Sequence, residues 1–187
     1  MINEPDRRKL SENRPLQGAV IMSVFASIWE ILGVSGIAPR VPGSALVGIA
    51  AVAVVLAVAA VVLTIRFGMS PGPRRSRRVA ANSFRVFGRV NIGQTVAIVA
   101  AVFILGHFGQ WVYIPAAVCL VVGAHFLPLA RTFAQPQYWW TGGLLMALAL
   151  VGAVALGGGD AERGRVLLGF GAALVLWTTA LHVARKG

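Results

Sequence analysis

Two groups of polar residues interrupt the apolar sequence, and the first contains an acid. Glu30 is the only Asp or Glu inside a long apolar stretch, and Ser27 lies three residues before it on the same helical face. An ionisable side chain in hydrocarbon is costly, so it usually faces a bundle interior or a water-filled cavity. We therefore predict that Glu30 and Ser27 line a functional cavity, with Glu30 as a proton-coupling carboxylate or an outer gate.

The second group combines two amides with an imidazole. Asn91 and Gln94 are three residues apart, so they share one face of a helix. His125 lies in the next apolar stretch, and a histidine can change its charge near neutral pH, which suits a proton relay. Asn91, Gln94 and His125 together predict a site that binds a small polar solute or an ion.

Other chemistries lack the residues they need. Cys119 is the only cysteine and the three histidines have no metal-ligand spacing, so neither a metal site nor a cofactor is predicted. An intramembrane enzyme that uses Glu30 and a histidine as acid and base is one alternative, and a haem held by His125 and His182 is another. Both meet an obstacle, because each pair differs in its predicted membrane depth and no nucleophile motif is present.

The composition indicates whether the protein folds in water or in a membrane. Of its 187 residues, 57% are hydrophobic and only 12% are charged, with a mean hydropathy of +0.77. Soluble domains are about 45–50% apolar and about 25% charged. A water-soluble domain of this length has too little core to bury so much apolar surface. The sequence therefore predicts an integral membrane protein and excludes a soluble enzyme and a disordered chain.

Six apolar stretches must position these residues, and each is close to the roughly 20 residues that a helix needs to cross a bilayer. Proline and glycine fall between several of them. We predict an all-α polytopic membrane protein, a six-transmembrane-helix bundle that forms one domain over residues 16–187 after a tail over residues 1–15. The predicted spans cover residues 16–38, 44–65, 84–107, 111–130, 138–156 and 164–184, and a basic loop covers residues 66–83.

The basic residues predict the orientation. If the N-terminus is cytoplasmic, 14 of the 17 Lys and Arg residues lie in cytoplasmic segments, and only Arg40, Arg163 and Arg165 lie outside. Because cytoplasmic loops carry an excess of Lys and Arg, both termini are predicted to be cytoplasmic. The Ala-, Val-, Gly- and Arg-rich composition resembles that of GC-rich bacteria, so the predicted location is a bacterial cytoplasmic membrane.

The most basic segment is the loop over residues 66–83. Juxtamembrane Lys and Arg residues attract anionic headgroups with about 1 kcal/mol each. Because the net charge of +11 is distributed over short loops between apolar stretches, nucleic acid is not predicted as a partner. We predict that four arginines of the loop bind anionic lipids of the inner leaflet. These are Arg74, Arg75, Arg77 and Arg78.

Depth along each helix predicts which spans surround the cavity. At a rise of about 1.5 Å per residue, Asn91, Gln94 and His125 fall near the midplane or on its cytoplasmic side, and Glu30 lies further out. Spans 1, 3, 4 and 6 are therefore predicted to enclose one polar cavity, and the nearly polar-free spans 2 and 5 to face lipid. Span 1 also has a face of small residues, which favours close packing within the chain or in a homo-oligomer.

These features favour a transporter or channel for a small polar solute or an ion, with proton coupling through Glu30. The alternative is a non-transporting membrane partner or regulatory subunit that docks through the basic loop and the tails. The intramembrane enzyme and the haem protein described above are further alternatives. Proton or cation flux through the purified protein would indicate a transporter or channel, and its absence would favour the partner subunit without excluding transport of another solute.

One short segment resembles known sequences. Residues 123–130 read GAHFLPLA, and the pattern Gly-x-His-Phe-x-Pro-Leu-Ala is similar to one in small multi-pass bacterial membrane proteins of unknown function. The segment covers a small part of the chain. The resemblance implies a multi-pass membrane fold and singles out His125 and Pro128, but it implies no activity.

Overall fold

The computed structural model describes residues 14–68 and 77–186, and all regular secondary structure in these residues is helical. Six long α-helices follow one another along the chain. The helices are α1 (Arg14–Ile37), α2 (Gly43–Gly68), α3 (Arg77–His107), α4 (Ile114–Phe133), α5 (Gln137–Gly157) and α6 (Ala161–Lys186). Two short 3-10 turns, Ala38–Arg40 and Trp111–Tyr113, follow α1 and precede α4.

The connections between the later helices are tight turns. α4 ends at Ala134, whose φ of 50° is left-handed and whose N–H bonds to the carbonyls of Ala130 and Arg131. α5 ends before Gly158 and Gly159, and Gly159 has a φ of 86° that glycine adopts without strain. Short connections of this kind place consecutive helices side by side and antiparallel.

All six helices are long and apolar enough to cross a membrane. The spanning segments cover residues 20–40, 43–63, 86–107, 111–133, 137–157 and 161–185. They overlap the six predicted spans, so the prediction of six helices long and apolar enough to span a membrane is confirmed, and the chain is that of a multi-pass membrane protein. Helices take up both ends of the predicted loop over residues 66–83, since α2 extends to Gly68 and α3 begins at Arg77.

Four of the helices form the core. The most extensive contact is between α1 and α6, followed by those between α4 and α5 and between α5 and α6. The buried apolar side chains come from α1, α4, α5 and α6. α2 packs against α1 and α6, while α3 packs mainly against α4. Neither α2 nor α3 contributes a buried residue among the side chains that the structure describes.

The packing of α3 and α5 differs from what the sequence suggests. The sequence predicts that span 3 lines the interior and that span 5 faces lipid, whereas in the structure α3 has no buried side chain among those described and α5 packs between α4 and α6. α5 buries one face between its neighbours, and several of the buried residues on that face are small. Polarity does not identify such a face, because membrane helices associate through small residues whose hydropathy resembles that of lipid-facing residues. The small buried residues are Thr141, Gly142, Ala149 and Gly152.

Glycines set the closest approaches between core helices. A Cβ atom at Gly169 of α6 would overlap the backbone of Gly33 in α1 and would lie 2.7 Å from the carbonyl oxygen of Trp29. A Cβ atom at Gly142 of α5 would lie 2.7 Å from the carbonyl oxygen of Gly123 in α4. At both places the helices therefore meet backbone to backbone, where dispersion contacts are dense.

Two buried polar contacts also join the core helices. The hydroxyl oxygens of Thr141 and Thr179 are 2.7 Å apart and connect α5 with α6. The Sγ atom of Cys119 in α4 lies 3.3 Å from the carbonyl oxygen of Leu145 in α5. Hydrogen bonds of this kind add modestly to the association of membrane helices, and they restrict how the helices can slide past each other.

Candidate functional site

Glu30 lies in α1 with only 4% of its surface exposed. It is one of eight residues that line a groove of about 400 Å³ between α1, α2 and α6. Sites for small molecules have volumes of about 300–1,000 Å³, so the groove is large enough to hold a ligand. The lining residues are Glu30, Ala45, Gly48, Ile49, Val52, Ala53, Leu56 and Phe170.

The groove follows from the spacing of residues in two helices. The lining residues of α2, from Ala45 to Leu56, recur every three or four positions and form one stripe along that helix. Phe170 of α6 forms the opposite wall beside Gly33 of α1. A Cβ atom at Gly33 would lie 2.8 Å from the Phe170 ring, so the ring can rest on α1 only because Gly33 has no side chain.

The carboxylate of Glu30 is isolated in these surroundings. It has no hydrogen bond or ion pair with any residue in the described part of the chain. The other lining side chains are aliphatic or aromatic, so none of them can donate a hydrogen bond to the carboxylate. Its oxygen atoms are open to the groove, where the other lining side chains are apolar. An ionisable side chain is costly in hydrocarbon, so this position favours a functional role.

Ser27 lies one turn before Glu30 but does not take part in the groove. Its Oγ atom donates a hydrogen bond of 3.1 Å to the carbonyl oxygen of Ser23 within α1. Ser23 itself is fully buried. The hydroxyl of Ser27 is therefore bonded to the backbone of its own helix, and Ser27 is not among the lining residues.

The second predicted group lies at a different interface. His125 of α4 is half-buried, and its ring lies beside the backbone of Val90 in α3. Its Nδ1 atom is buried without a hydrogen-bond partner in the described residues. Gln94 follows Val90 by one turn and is half-buried, whereas Asn91 is exposed. The structure thus brings Gln94 and His125 to the α3–α4 interface, and none of the three residues lines the Glu30 groove.

The predicted lipid-binding arginines lie outside the described residues, apart from the backbone of the last two. Arg77 and Arg78 begin α3, while Arg74 and Arg75 precede it. Near the same ends of the helices, the Cζ atom of Arg131 lies 5.1 Å from the centre of the exposed Trp139 ring. An aromatic ring beside a cation is typical of the membrane–water interface, and such a pair stabilises by about 0.5–1 kcal/mol at an exposed site.

A charged network that the sequence reasoning missed joins the end of α1 to the start of α6. Arg40 donates from Nη2 to Asp160 Oδ1 and from Nη1 to Glu162 Oε2, both at 2.7 Å. Asp160 Oδ1 also accepts a hydrogen bond of 2.9 Å from the backbone N–H of Arg163, which caps the helix. The distribution of Lys and Arg along the sequence places Arg40 and Arg163 on the same side of the membrane. It does not predict that Arg40 forms ion pairs with Asp160 and Glu162. An aspartate immediately before a helix, after a glycine run, is the signal that predicts the cap.

Acid should weaken this network. The N–H of Arg163 donates to the Asp160 carboxylate, and the charges of Arg40 and Arg163 lie beside it, so the pKa of Asp160 is below its usual range. An acid whose pKa is lowered in the folded state stabilises the protein at pH values above its ordinary pKa of about 4. This stabilisation is lost as the pH falls through the lowered pKa of the folded state. We expect the melting temperature of the wild type to fall more steeply below about pH 4 than that of Asp160→Asn.

Asparagine keeps the ability to cap the helix but removes the charge, so the difference between the two proteins reports the ion pairs. Thermal unfolding in detergent, followed by tryptophan fluorescence at a series of pH values, measures this difference. Parallel curves for the two proteins would show that the Asp160 charge adds no stability.

Comparison of the chain with protein-family models, curated proteins and solved structures gives no match. Function is therefore inferred from the chemistry of the site alone. Among the described residues, no group of three His, Cys, Asp or Glu side chains converges as metal ligands. What the groove offers is one acid in apolar surroundings, which can exchange a proton for another cation.

Proposed function

We propose that the protein is a proton-coupled transporter of a bacterial cytoplasmic membrane, and that the Glu30 carboxylate takes up and releases the coupling proton. One observation carries this proposal: Glu30 is 4% exposed, and its carboxylate, which has no partner in the described residues, opens onto a groove between spanning helices. Intramembrane acids mark ion pathways and proton relays because hydrocarbon selects against them elsewhere.

We place the proposed coupling site in the groove between α1, α2 and α6 rather than in the polar cavity predicted between spans 1, 3, 4 and 6. Glu30 lines a groove between α1, α2 and α6, and α3 packs mainly against α4. The coupling site is therefore proposed at Glu30 alone, without Asn91, Gln94 or His125. The mechanism needs two states of one carboxylate, ionised when it holds a cation and neutral when it holds a proton.

The proposed orientation places both termini in the cytoplasm. It is supported by the 14 of 17 basic residues that fall on that side, since cytoplasmic segments retain Lys and Arg. In this orientation the network of Arg40 and Asp160 faces the outside. The arginine cluster over residues 74–78 then lies beside the inner leaflet, where it attracts anionic lipid.

Proton flux in proteoliposomes tests the proposal. We expect an imposed pH gradient to dissipate faster with the wild type than with empty liposomes, and Glu30→Gln to reduce the rate to that of empty liposomes. Glu162→Gln is the matched control, because it makes the same chemical change at the exposed end of α6. His125→Ala should retain flux. Equal flux in the wild type and Glu30→Gln would exclude Glu30 as the coupling group.

A membrane partner subunit is the second candidate, and the exposed side of α3 favours it. Asn91 is exposed there beside Thr95, whose Oγ1 atom donates to the Asn91 carbonyl oxygen at 3.0 Å. An amide that faces lipid gains a hydrogen bond by meeting a polar group of another helix. This side of α3 could therefore receive a second copy of the chain or another membrane protein.

Cysteine cross-linking tests this candidate in native membranes. Ile92 is 67% exposed beside Asn91, so Ile92→Cys in a Cys119→Ala background places one thiol on the exposed side of α3. We expect a disulfide-linked product, at twice the mass if the partner is a second copy. The added Asn91→Leu change should reduce the yield, and a yield that does not depend on Asn91 would contradict docking through the amide.

A further inference from the structure

We infer that the ligand of the Glu30 groove is a lipophilic organic cation with a delocalised or shielded single positive charge. The inference rests on the proposed transport function and names the substrate class of the same site. It is carried by the pairing of one buried carboxylate with a wall of aliphatic and aromatic side chains.

The apolar wall of the groove disfavours the binding of hydrophilic ligands. Val52, Leu56 and Phe170 cannot replace the hydrogen bonds that a sugar or an amino acid would lose on leaving water. A small inorganic cation needs several oxygen ligands, and Glu30 is the only lining residue with side-chain oxygen atoms. An anionic lipid or drug would be repelled by the ionised carboxylate. A cation whose charge lies within apolar groups meets none of these penalties.

Charge and ring geometry support the same ligand. An ionised Glu30 supplies one negative charge where the low local dielectric strengthens its attraction for a cation. The Phe170 ring also lines the groove, and an aromatic ring can attract the same cation. The groove of about 400 Å³ accommodates a cation that carries aromatic rings.

The position of α2 explains how such a ligand enters. α2 has no buried residue among its described side chains, so it covers the groove only loosely from the lipid side. Exposed valines along α2 indicate that its outer face contacts hydrocarbon. A lipophilic cation that concentrates in the membrane can therefore reach Glu30 between α2 and its neighbours without crossing a polar gate.

The exchange at the carboxylate conserves charge. When the cation binds, the Glu30 O–H bond breaks, the proton leaves to water, and the carboxylate pairs with the cation. The groove holds no second titratable residue in the described structure, because α2 lines it with aliphatic residues and glycine, and α6 with Phe170. The nearest charged residues of α6 along the chain are Arg165 and Arg163, five and seven residues before Phe170. Affinity should therefore fall as the pH is lowered.

Equilibrium binding of tetraphenylphosphonium tests the inference. The full-length protein is placed in nanodiscs of phosphatidylcholine, and empty nanodiscs correct for partition into lipid. We expect saturable binding of one cation per protein, a release of one proton, and an affinity at least about tenfold lower in Glu30→Gln. Glu30→Asp should retain part of the binding, since it keeps the carboxylate.

A pair of alanine positions in α2 separates a lost site from a misfolded protein. Ala53→Trp fills the groove and should abolish binding, whereas Ala51→Trp on an exposed position should not. Binding that survives both Glu30→Gln and Ala53→Trp would overturn the inference. Proton flux that needs Glu30, without any binding of tetraphenylphosphonium, would overturn the substrate class and leave the proposed transport intact. Binding of tetraphenylphosphonium without any proton flux would overturn the proposed transport and leave the ligand class of the groove intact.

Discussion

Replacing Glu30 with leucine should make the protein more stable while it abolishes proton flux. The carboxyl group opens onto an apolar groove and has no partner in the described residues, and leucine of similar volume fits the aliphatic and aromatic wall of the groove. Replacing a polar group in apolar surroundings by an apolar one should add about 1–3 kcal/mol to the free energy of unfolding. At roughly 2–4 °C per kcal/mol for a chain of this size, the melting temperature should rise by several degrees.

This combination separates a functional acid from a structural one. Thermal unfolding in detergent and flux in proteoliposomes are measured on the same preparation of Glu30→Leu. Glu162→Leu is the control, because its carboxylate binds Arg40 and its loss should lower stability slightly. If Glu30→Leu lowers the melting temperature instead, the carboxylate holds the helices together and the transport proposal loses its basis.

Replacing Gly169 with alanine should cause the largest loss of stability among single-methyl changes in α6. The new Cβ atom would overlap the backbone nitrogen and Cα of Gly33, where α1 and α6 make the most extensive helix contact of the fold. Backbone atoms cannot turn aside as a flexible side chain can. Overpacking of this kind costs about 1–3 kcal/mol or more, and we expect about 3 kcal/mol here because the helices must separate.

Gly143→Ala provides the matched control in α5. A Cβ atom at Gly143 meets nothing within 4 Å, so alanine there should gain about 0.5–1 kcal/mol from its higher helix propensity. The two variants therefore make the same chemical change and should shift the melting temperature in opposite directions. Equal stability of Gly169→Ala and Gly143→Ala would show that α1 and α6 do not meet at Gly169.

The sequence indicates some residues of the candidate site and not others. Glu30 was recognisable in the sequence because an acid in hydrocarbon stands out by type alone. The residues that surround Glu30 in the structure were not recognisable in the sequence. Phe170 lies far along the chain, and the stripe of lining residues on α2 resembles any lipid-facing surface. The cap at Asp160 has a local signal, but its pairing with Arg40 depends on where α1 and α6 end.

The sequence by itself determined that the described part of the chain is helical, with six helices long and apolar enough to cross a membrane. Length and hydropathy are local properties, and a backbone in hydrocarbon must satisfy its hydrogen bonds within each helix. Only the tertiary structure decided which helices form the core, that Glu30 faces α2 and α6, and that His125 lies at another interface. Helix order in a membrane depends on where small residues permit close approach, and hydropathy does not record this property.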